Sequence, residues 1–381
     1  MKKVGRLVKT LKTCSDNPRN GEGSFIRLSD GGVMLAYSHF GGQGGDHDLS
    51  RIMAVTSYDE GESWSEPREL FDDDYDCRNN MACTFVRMPN GEIGACYLRK
   101  NSEPDGTISC MPVFRYSSDE GKSWSKLKFC TDEIGYYCGT NAASIITSAG
   151  RIITPVSFAG NAVHMYDLEP GTVRFFCSDD CGRSWHEDMG RITSPYGDHA
   201  GLQEPGLLEL PDGTFWCHMR TIYGFQYQSF SKDAGKTWTV PEPDFLFPSP
   251  DSPMRVAALG DKVMAVFNPV GHSPCAAHHT PWGAPQRSPI MLAVSDDGGQ
   301  SFARPAKEFS WRALKEHTRS CYLIEDDPAD SYCYPAMIRI NGGYLVTYYC
   351  DEGSHRVLNS SHVIKITDDE IDSRLTAEDE R

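Results

Sequence analysis

Five copies of one octapeptide constrain this chain more than any other feature. The pattern is Ser-x-Asp-x-Gly-x-Ser/Thr-Trp, with Phe in place of Trp once. It occurs at Ser57–Trp64, Ser117–Trp124, Ser178–Trp185, Ser231–Trp238 and Ser295–Phe302. Its Asp residues, Asp59, Asp119, Asp180, Asp233 and Asp297, lie 60, 61, 53 and 64 residues apart. A unit repeated at such a period cannot bury both of its faces alone and must stack on its neighbours. Each copy reads as a tight turn. Asp and Ser bond local backbone N–H groups, Gly supplies a positive φ and Trp packs beneath. Five equivalent outer turns cannot all be one ligand site, so the octapeptide is read as structural.

A looser repeat runs alongside. Apolar stretches meet at Asp30-Gly31, Asn90-Gly91, Ala149-Gly150, Asp212-Gly213, Gly260-Asp261 and Asn341-Gly342. Asp-Gly and Asn-Gly between alternating hydrophobic runs are strong hairpin signals. There are six such hairpins, and the first five each precede an octapeptide. The simplest geometry is an all-β, six-bladed β-propeller of about four antiparallel strands per blade. It is expected to span residues 1–366, with a strand near Val4–Leu11 closing the last blade. Residues 367–381 read as a polar C-terminal tail with a short helix.

Composition agrees with this and narrows the function classes. The 381 residues include 35 Gly and 23 Pro, many for a helical protein. The 37 basic and 53 acidic residues leave a net charge of −16, which argues against nucleic acid or an anionic membrane as the main partner. The N-terminus is basic but Lys9 and Lys12 interrupt it before any apolar run forms, so neither a signal peptide nor a membrane span is expected. Fourteen Cys lie scattered without a CxxC pair and are expected to be reduced thiols, consistent with a cytoplasmic protein.

The octapeptides resemble the Asp boxes, or BNR repeats, of the sialidase (neuraminidase) superfamily, over about Gly21 to Tyr349. The resemblance implies a propeller and an exo-glycosidase acting on a terminal sialic acid or related acidic sugar with retention, without a cofactor. In this superfamily a neutral Tyr is the nucleophile, because the substrate carboxylate repels a charged one. A Glu takes its proton, a loop Asp is the acid/base, and three Arg hold the carboxylate.

Propeller geometry locates the site at the rim where innermost strands start and second strands end. Counting back eight residues from each hairpin gives Glu22, Ala82, Asn141, Glu204, Ser252 and Cys333, with Asn80, Gln203, Met254 and Tyr334 beside them. Second-strand ends add His39, Arg99, Ser157, Arg220, Asn268 and Asp351. By resemblance, Tyr334 is the nucleophile and Glu204 its partner. Arg220 and Arg287 match the second and third family arginines. The Gly-rich loop Gly41–Asp48 carries the acid/base, either Asp46 or Asp48, with His47 able to tune it.

One departure stands out. The superfamily opens its first blade with Arg-Ile-Pro, but the matching position here is Glu22, in Asn20-Gly-Glu22-Gly-Ser-Phe-Ile-Arg27. Arg27 falls too far along the strand to substitute; Arg99 or Arg19 could reach in. Two alternatives therefore stay open: a glycosidase of the same scaffold that uses Glu22 and Glu204 as a carboxylate pair, and a non-catalytic glycan-binding propeller. The spacing of His272-Ser-Pro-Cys275-Ala-Ala-His278-His279 fits no recognised zinc pattern, Asp72–Asp76 could hold Ca²⁺ but reads as a solvated loop, and no metal is expected.

Overall fold

The computed structural model describes residues 1–71, 76–161, 169–195, 197, 200–271, 287–352 and 358–372. The His272–His279 run, residues 72–75 and residues 373–381 lie outside these. The chain is an all-β propeller built from antiparallel meanders. Three sheets are antiparallel meanders, and in the first of them the short strands Tyr137–Cys138 and Ile145–Ile146 both pair with Ile152–Phe158. The first of them is centred on Ile152–Phe158 and Thr172–Ser178, the second runs from Gln203–Glu209 to Glu242–Pro248, and the third from Arg255–Leu259 to Cys321–Glu325. The fourth combines Cys333–Ile340, Gly343–Cys350 and Ser360–Thr367 with the N-terminal strand Arg6–Leu11. That strand pairs with Ser360–Thr367, so the two ends of the chain close one sheet, as expected.

The expected six-bladed arrangement is corrected in one respect. Four sheets stand alone as blades of four or five strands, but the first two meanders are not separate. Arg19–Arg27, Val33–Phe40 and Ser50–Ser57 share one eight-stranded sheet with Asn79–Arg87, Ile93–Ser102 and Ile108–Ser117. The parallel pair Ser50↔Asn79 joins them, and Ser50 Oγ also donates to the Asn80 carbonyl at 2.9 Å. The hairpin and octapeptide spacing counts meanders. It cannot reveal that two of them share a backbone pairing.

The octapeptides form the expected turns. In Ser117–Trp124, Asp119 Oδ1 accepts from the Ser123 amide and the Ser117 hydroxyl, and Oδ2 accepts from the Ser123 hydroxyl. These donors hold the Asp119 carboxyl at a pKa of about 2. The tryptophans are half-buried rather than fully buried. Trp238 stacks on Phe175 at 4.9 Å, and Trp185 meets Phe114 edge-on at 5.1 Å. Phe302, the exception in sequence, is fully buried.

His317 is a buried titratable group with a direct consequence for stability. The residue is 8% exposed and its ring lies against Phe247, Phe302 and Phe267, with Nδ1 unpartnered among the described residues. Burial lowers its pKa to about 4, with the Leu246 backbone pulling slightly the other way. In the unfolded chain His titrates near about 6.5. Between those values the unfolded state binds more protons, so His317 contributes full stability above pH 6.5 and loses it as pH falls toward 4. The slope is about 1.4 kcal/mol per pH unit for one group. The Tm of the protein is expected to drop between pH 7 and 4.5, and His317→Leu is expected to flatten that slope. An unchanged slope would assign the acid sensitivity elsewhere.

Candidate active site

Local backbone geometry puts the charged residues at the propeller axis. The innermost strands carry register irregularities between Gly21 and Ser24, Met81 and Thr84, Gln203 and Gly206, and Cys333 and Ala336. Within each, one non-glycine residue has a positive φ: Glu22 at 55°, Ala82 at 56°, Glu204 at 43° and Tyr334 at 51°. Ala142 and Asp251 adopt the same conformation in the other two meanders. A bulge re-aims a side chain, and such strain persists where the surrounding structure over-determines it. Contacts between meanders show the convergence. The Ala82 amide donates to Glu22, and Asn141 donates to the Gly23 and Tyr334 carbonyls.

Tyr334, Glu204 and Arg220 form one group. The Tyr334 hydroxyl donates to Glu204 Oε1 at 2.5 Å, and Arg220 Nη1 donates to Glu204 Oε2 at 2.7 Å. Arg220 Nη1 also lies 3.4 Å from the Tyr334 oxygen. Arg220 Nε is held by Asp251 Oδ1 at 2.7 Å. Arg287 donates to the Asp251 carbonyl at 3.0 Å and to Cys333 Sγ at 3.2 Å, and its buried Nε has no partner among the described residues. Burial and the Glu204 charge push the Tyr334 phenol well above its ordinary pKa, against the pull of Arg220 and Arg287. The phenol is therefore neutral at rest.

Arg19 organises a second group. Its Nε donates to the Tyr349 hydroxyl at 2.8 Å, Nη1 to Asp46 Oδ1 at 2.5 Å, and Nη2 to Glu22 Oε1 at 2.6 Å. Its guanidinium also lies 4.1 Å from the Phe40 ring centre. Tyr349 packs edge-on against Tyr334, with ring centres 5.9 Å apart, and so links the two groups. Gly21 makes this approach possible, since a Cβ there would come within 2.0 Å of the Tyr349 ring. Desolvation opposes ionisation of Asp46, but the Arg19 and Lys100 charges outweigh it and hold the carboxyl well below the usual range. For Glu22 the balance is reversed. Burial pushes its pKa up more than Arg19 pulls it down.

The sequence-predicted residues divide accordingly. Tyr334, Glu204, Arg220, Arg287, Glu22 and Asp46 come together. Asp48 faces its own loop, where Oδ2 accepts the Gln43 and Gly45 amides at 2.9 Å, so the loop presents Asp46 instead. His47 packs against Tyr136 at 6.0 Å, and its carbonyl accepts from Arg78. Arg99 bonds Asp76 and Asn101, so its described partners lie away from the Tyr334 and Arg19 groups. Asn141 bonds backbone carbonyls and is an axial pin. Arg27 pairs with Glu60.

Sequence reasoning missed Asp251, Lys100 and Tyr349. Counting placed the fifth ring position at Ser252, one residue past the left-handed Asp251. At the second strand it selected Arg99, whereas the neighbouring Lys100 reaches the Asp46 carbonyl at 2.6 Å. A one-residue slip in a strand exchanges faces.

With this geometry established, comparison with known proteins supplies the ancestry. The family model described as "BNR repeat-like domain" matches residues 73–347. An anhydrosialidase of Macrobdella decora is 28% identical over 136 residues, covering 33% of this chain and 16% of that protein. The matched stretch is thus about a sixth of that relative's length. A leech intramolecular trans-sialidase, solved with 2,7-anhydro-Neu5Ac, shares the fold with a TM-score of 0.68 at 15% identity, over 97% of this chain and 71% of that one. The intramolecular trans-sialidase of Ruminococcus gnavus, solved with oseltamivir carboxylate, gives a TM-score of 0.68 at 14% identity, over 97% and 98%. The chain therefore belongs to the BNR repeat-like domain family and shares its fold with intramolecular trans-sialidases.

Proposed function

We propose that this chain is a retaining exo-glycosidase that acts on a terminal sialic acid or a related acidic sugar. The observation that carries the reading is the Tyr334 hydroxyl 2.5 Å from Glu204 Oε1, with Arg220 gripping the other Glu204 oxygen. A phenol beside a carboxylate is a nucleophile beside its base. Arg19, Arg220 and Arg287 surround it with positive charge suited to a substrate carboxylate.

In this reading Glu204 takes the Tyr334 proton as the phenolic oxygen attacks the anomeric carbon. The glycosidic oxygen departs with a proton from Asp46, leaving a tyrosyl glycoside. Water, deprotonated by Asp46, then attacks the same carbon, and Tyr334 leaves with the proton held by Glu204. Asp46 must be protonated for the first step, yet in the free protein Arg19 keeps it ionised. A substrate carboxylate that competes for Arg19 removes that hold, so substrate binding itself prepares the acid.

The carboxylate-pair alternative loses its support. Glu22 is 1% exposed, with Oε1 engaged by Arg19 and Oε2 by Ser38 and the Ala82 amide. No described contact leaves it free to attack a sugar or a water. The discriminating experiment is a panel of aryl glycosides containing α-sialosides, uronides and neutral sugars, with product anomers followed by NMR. Hydrolysis of a carboxylated substrate with retention is the expected result. Turnover restricted to neutral sugars, or inversion, would overturn the proposal.

A further inference from the structure

We propose that Cys350, Glu352 and His362 bind one divalent transition-metal ion of the zinc type at the catalytic-rim end of the last sheet. Each offers one ligand atom, a thiol sulfur, a carboxylate oxygen and an imidazole nitrogen, and all three atoms lie within 4.8 Å of one another. Zinc bonds of about 2.0–2.3 Å in a tetrahedron put ligand atoms about 3.3–3.8 Å apart, so only a small contraction is needed. Thiolate with imidazole selects a borderline-soft ion over calcium or magnesium.

Sheet register explains why these residues meet. Cys350 ends the strand Gly343–Cys350, and Tyr348 pairs directly with His362 on the adjacent strand Ser360–Thr367. Side chains two residues apart share a face, which brings Cys350 diagonally alongside His362. The Tyr348 ring backs the imidazole edge-on, at 6.0 Å between centres. Glu352 returns over the strand end from a residue with φ of 49°.

Two further observations bear on the site. Among the described residues His362 Nδ1 is buried with no hydrogen-bond partner, while Nε2 lies 3.5 Å from Glu352 Oε1. The cluster is also graded in access. Cys350 is fully buried, and the His362 and Glu352 side chains are 16% and 38% exposed, which gives an ion an entry path on the Glu352 side. Asp330 supplies further negative charge nearby, its own Oδ1 accepting the Asp351 and Ser331 amides. Binding exchanges the thiol proton for the ion, and that proton goes to solvent. Three protein ligands leave a fourth position for water. The strand so clamped also carries Tyr349, the bridge between Arg19 and Tyr334, so the ion acts on the active site by positioning.

The test uses the full chain, stripped with a chelator and then titrated with Zn²⁺ or Co²⁺ alone. The expected wild-type result is one bound ion per chain, a cobalt–thiolate charge-transfer band and a Tm raised by metal. Cys350→Ser should abolish the band, and His362→Gln should reduce retained metal at least about 10-fold. If Cys350→Ser does not fold, His362→Gln and Glu352→Gln carry the comparison. Absence of stoichiometric binding by the folded wild-type chain, or variants that bind like wild type, would overturn the proposal. Because metal content and the cobalt spectrum do not depend on turnover, the result is separate from the fate of the glycosidase reading.

Discussion

Tyr334→Phe is expected to lower kcat by about 10³-fold or more while the fold and substrate affinity persist. The substitution deletes one oxygen from a partly buried ring. It leaves the Glu204–Arg220 ion pair at 2.7 Å and the edge-on contact with Tyr349 intact. Neither the axial packing nor the guanidinium charge is therefore disturbed. What disappears is the atom that would attack. Because burial and Glu204 hold the resting phenol neutral, attack depends on proton transfer to Glu204, and Glu204→Gln should be nearly as damaging. The two losses should not multiply, since nucleophile and base act as one unit. A loss below about 10-fold in Tyr334→Phe, measured as kcat on a substrate the wild type hydrolyses, would remove Tyr334 from the chemistry. Unaltered binding of a carboxylated sugar with no turnover in the wild type would instead favour a glycan-binding propeller.

How much of this was legible in the chain depends on what kind of signal each residue sends. The octapeptides and Gly turns are local, so the meanders and the N-terminal closing strand could be read directly. Tyr334, Glu204 and Arg220 were found because each sits at a fixed distance from a hairpin. Arg19 was harder. On a regular strand residues 19 and 22 point to opposite faces, and only the bulge at Gly21–Ser24 with its left-handed Glu22 lets both side chains meet. The left-handed residue is Glu22 itself and not either of its glycine neighbours, Gly21 and Gly23, so composition does not mark it. The same holds for Asp251, in Ser249-Pro-Asp-Ser-Pro253, where the turn displaces the ring position by one residue. The bridge between Ser50 and Asn79 is a tertiary pairing that no spacing encodes.

The Arg19–Glu22 arrangement makes a second large effect predictable. Glu22→Arg, which restores the residue type found in the superfamily's Arg-Ile-Pro motif, is expected to destabilise the protein severely and abolish activity. Glu22 is 1% exposed and 2.6 Å from Arg19, which is itself 3% exposed. A second guanidinium there would face the first with one fewer carboxylate to share, and would take from the Ala82 amide one of its two acceptors, leaving only Ser38 Oγ at 3.1 Å. Removing one partner of a buried ion pair costs about 3–5 kcal/mol, and replacing it with a like charge costs more. Against a total stability of about 5–15 kcal/mol, that is a large fraction. Both Glu and Arg carry a Cβ, so the positive φ at position 22 is equally strained before and after, and backbone conformation drops out of the comparison. The exchange Arg19→Glu with Glu22→Arg restores the opposite charges and should recover much of the lost Tm, although Asp46 then loses its own partner. A Glu22→Arg single variant that melts with the wild type would show that Arg19 does not depend on Glu22. If the exchanged pair also regains hydrolysis of a carboxylated sugar, the guanidinium works from either position. Recovery of Tm without activity would mean that Arg19 is required where it stands, between Asp46 and Tyr349.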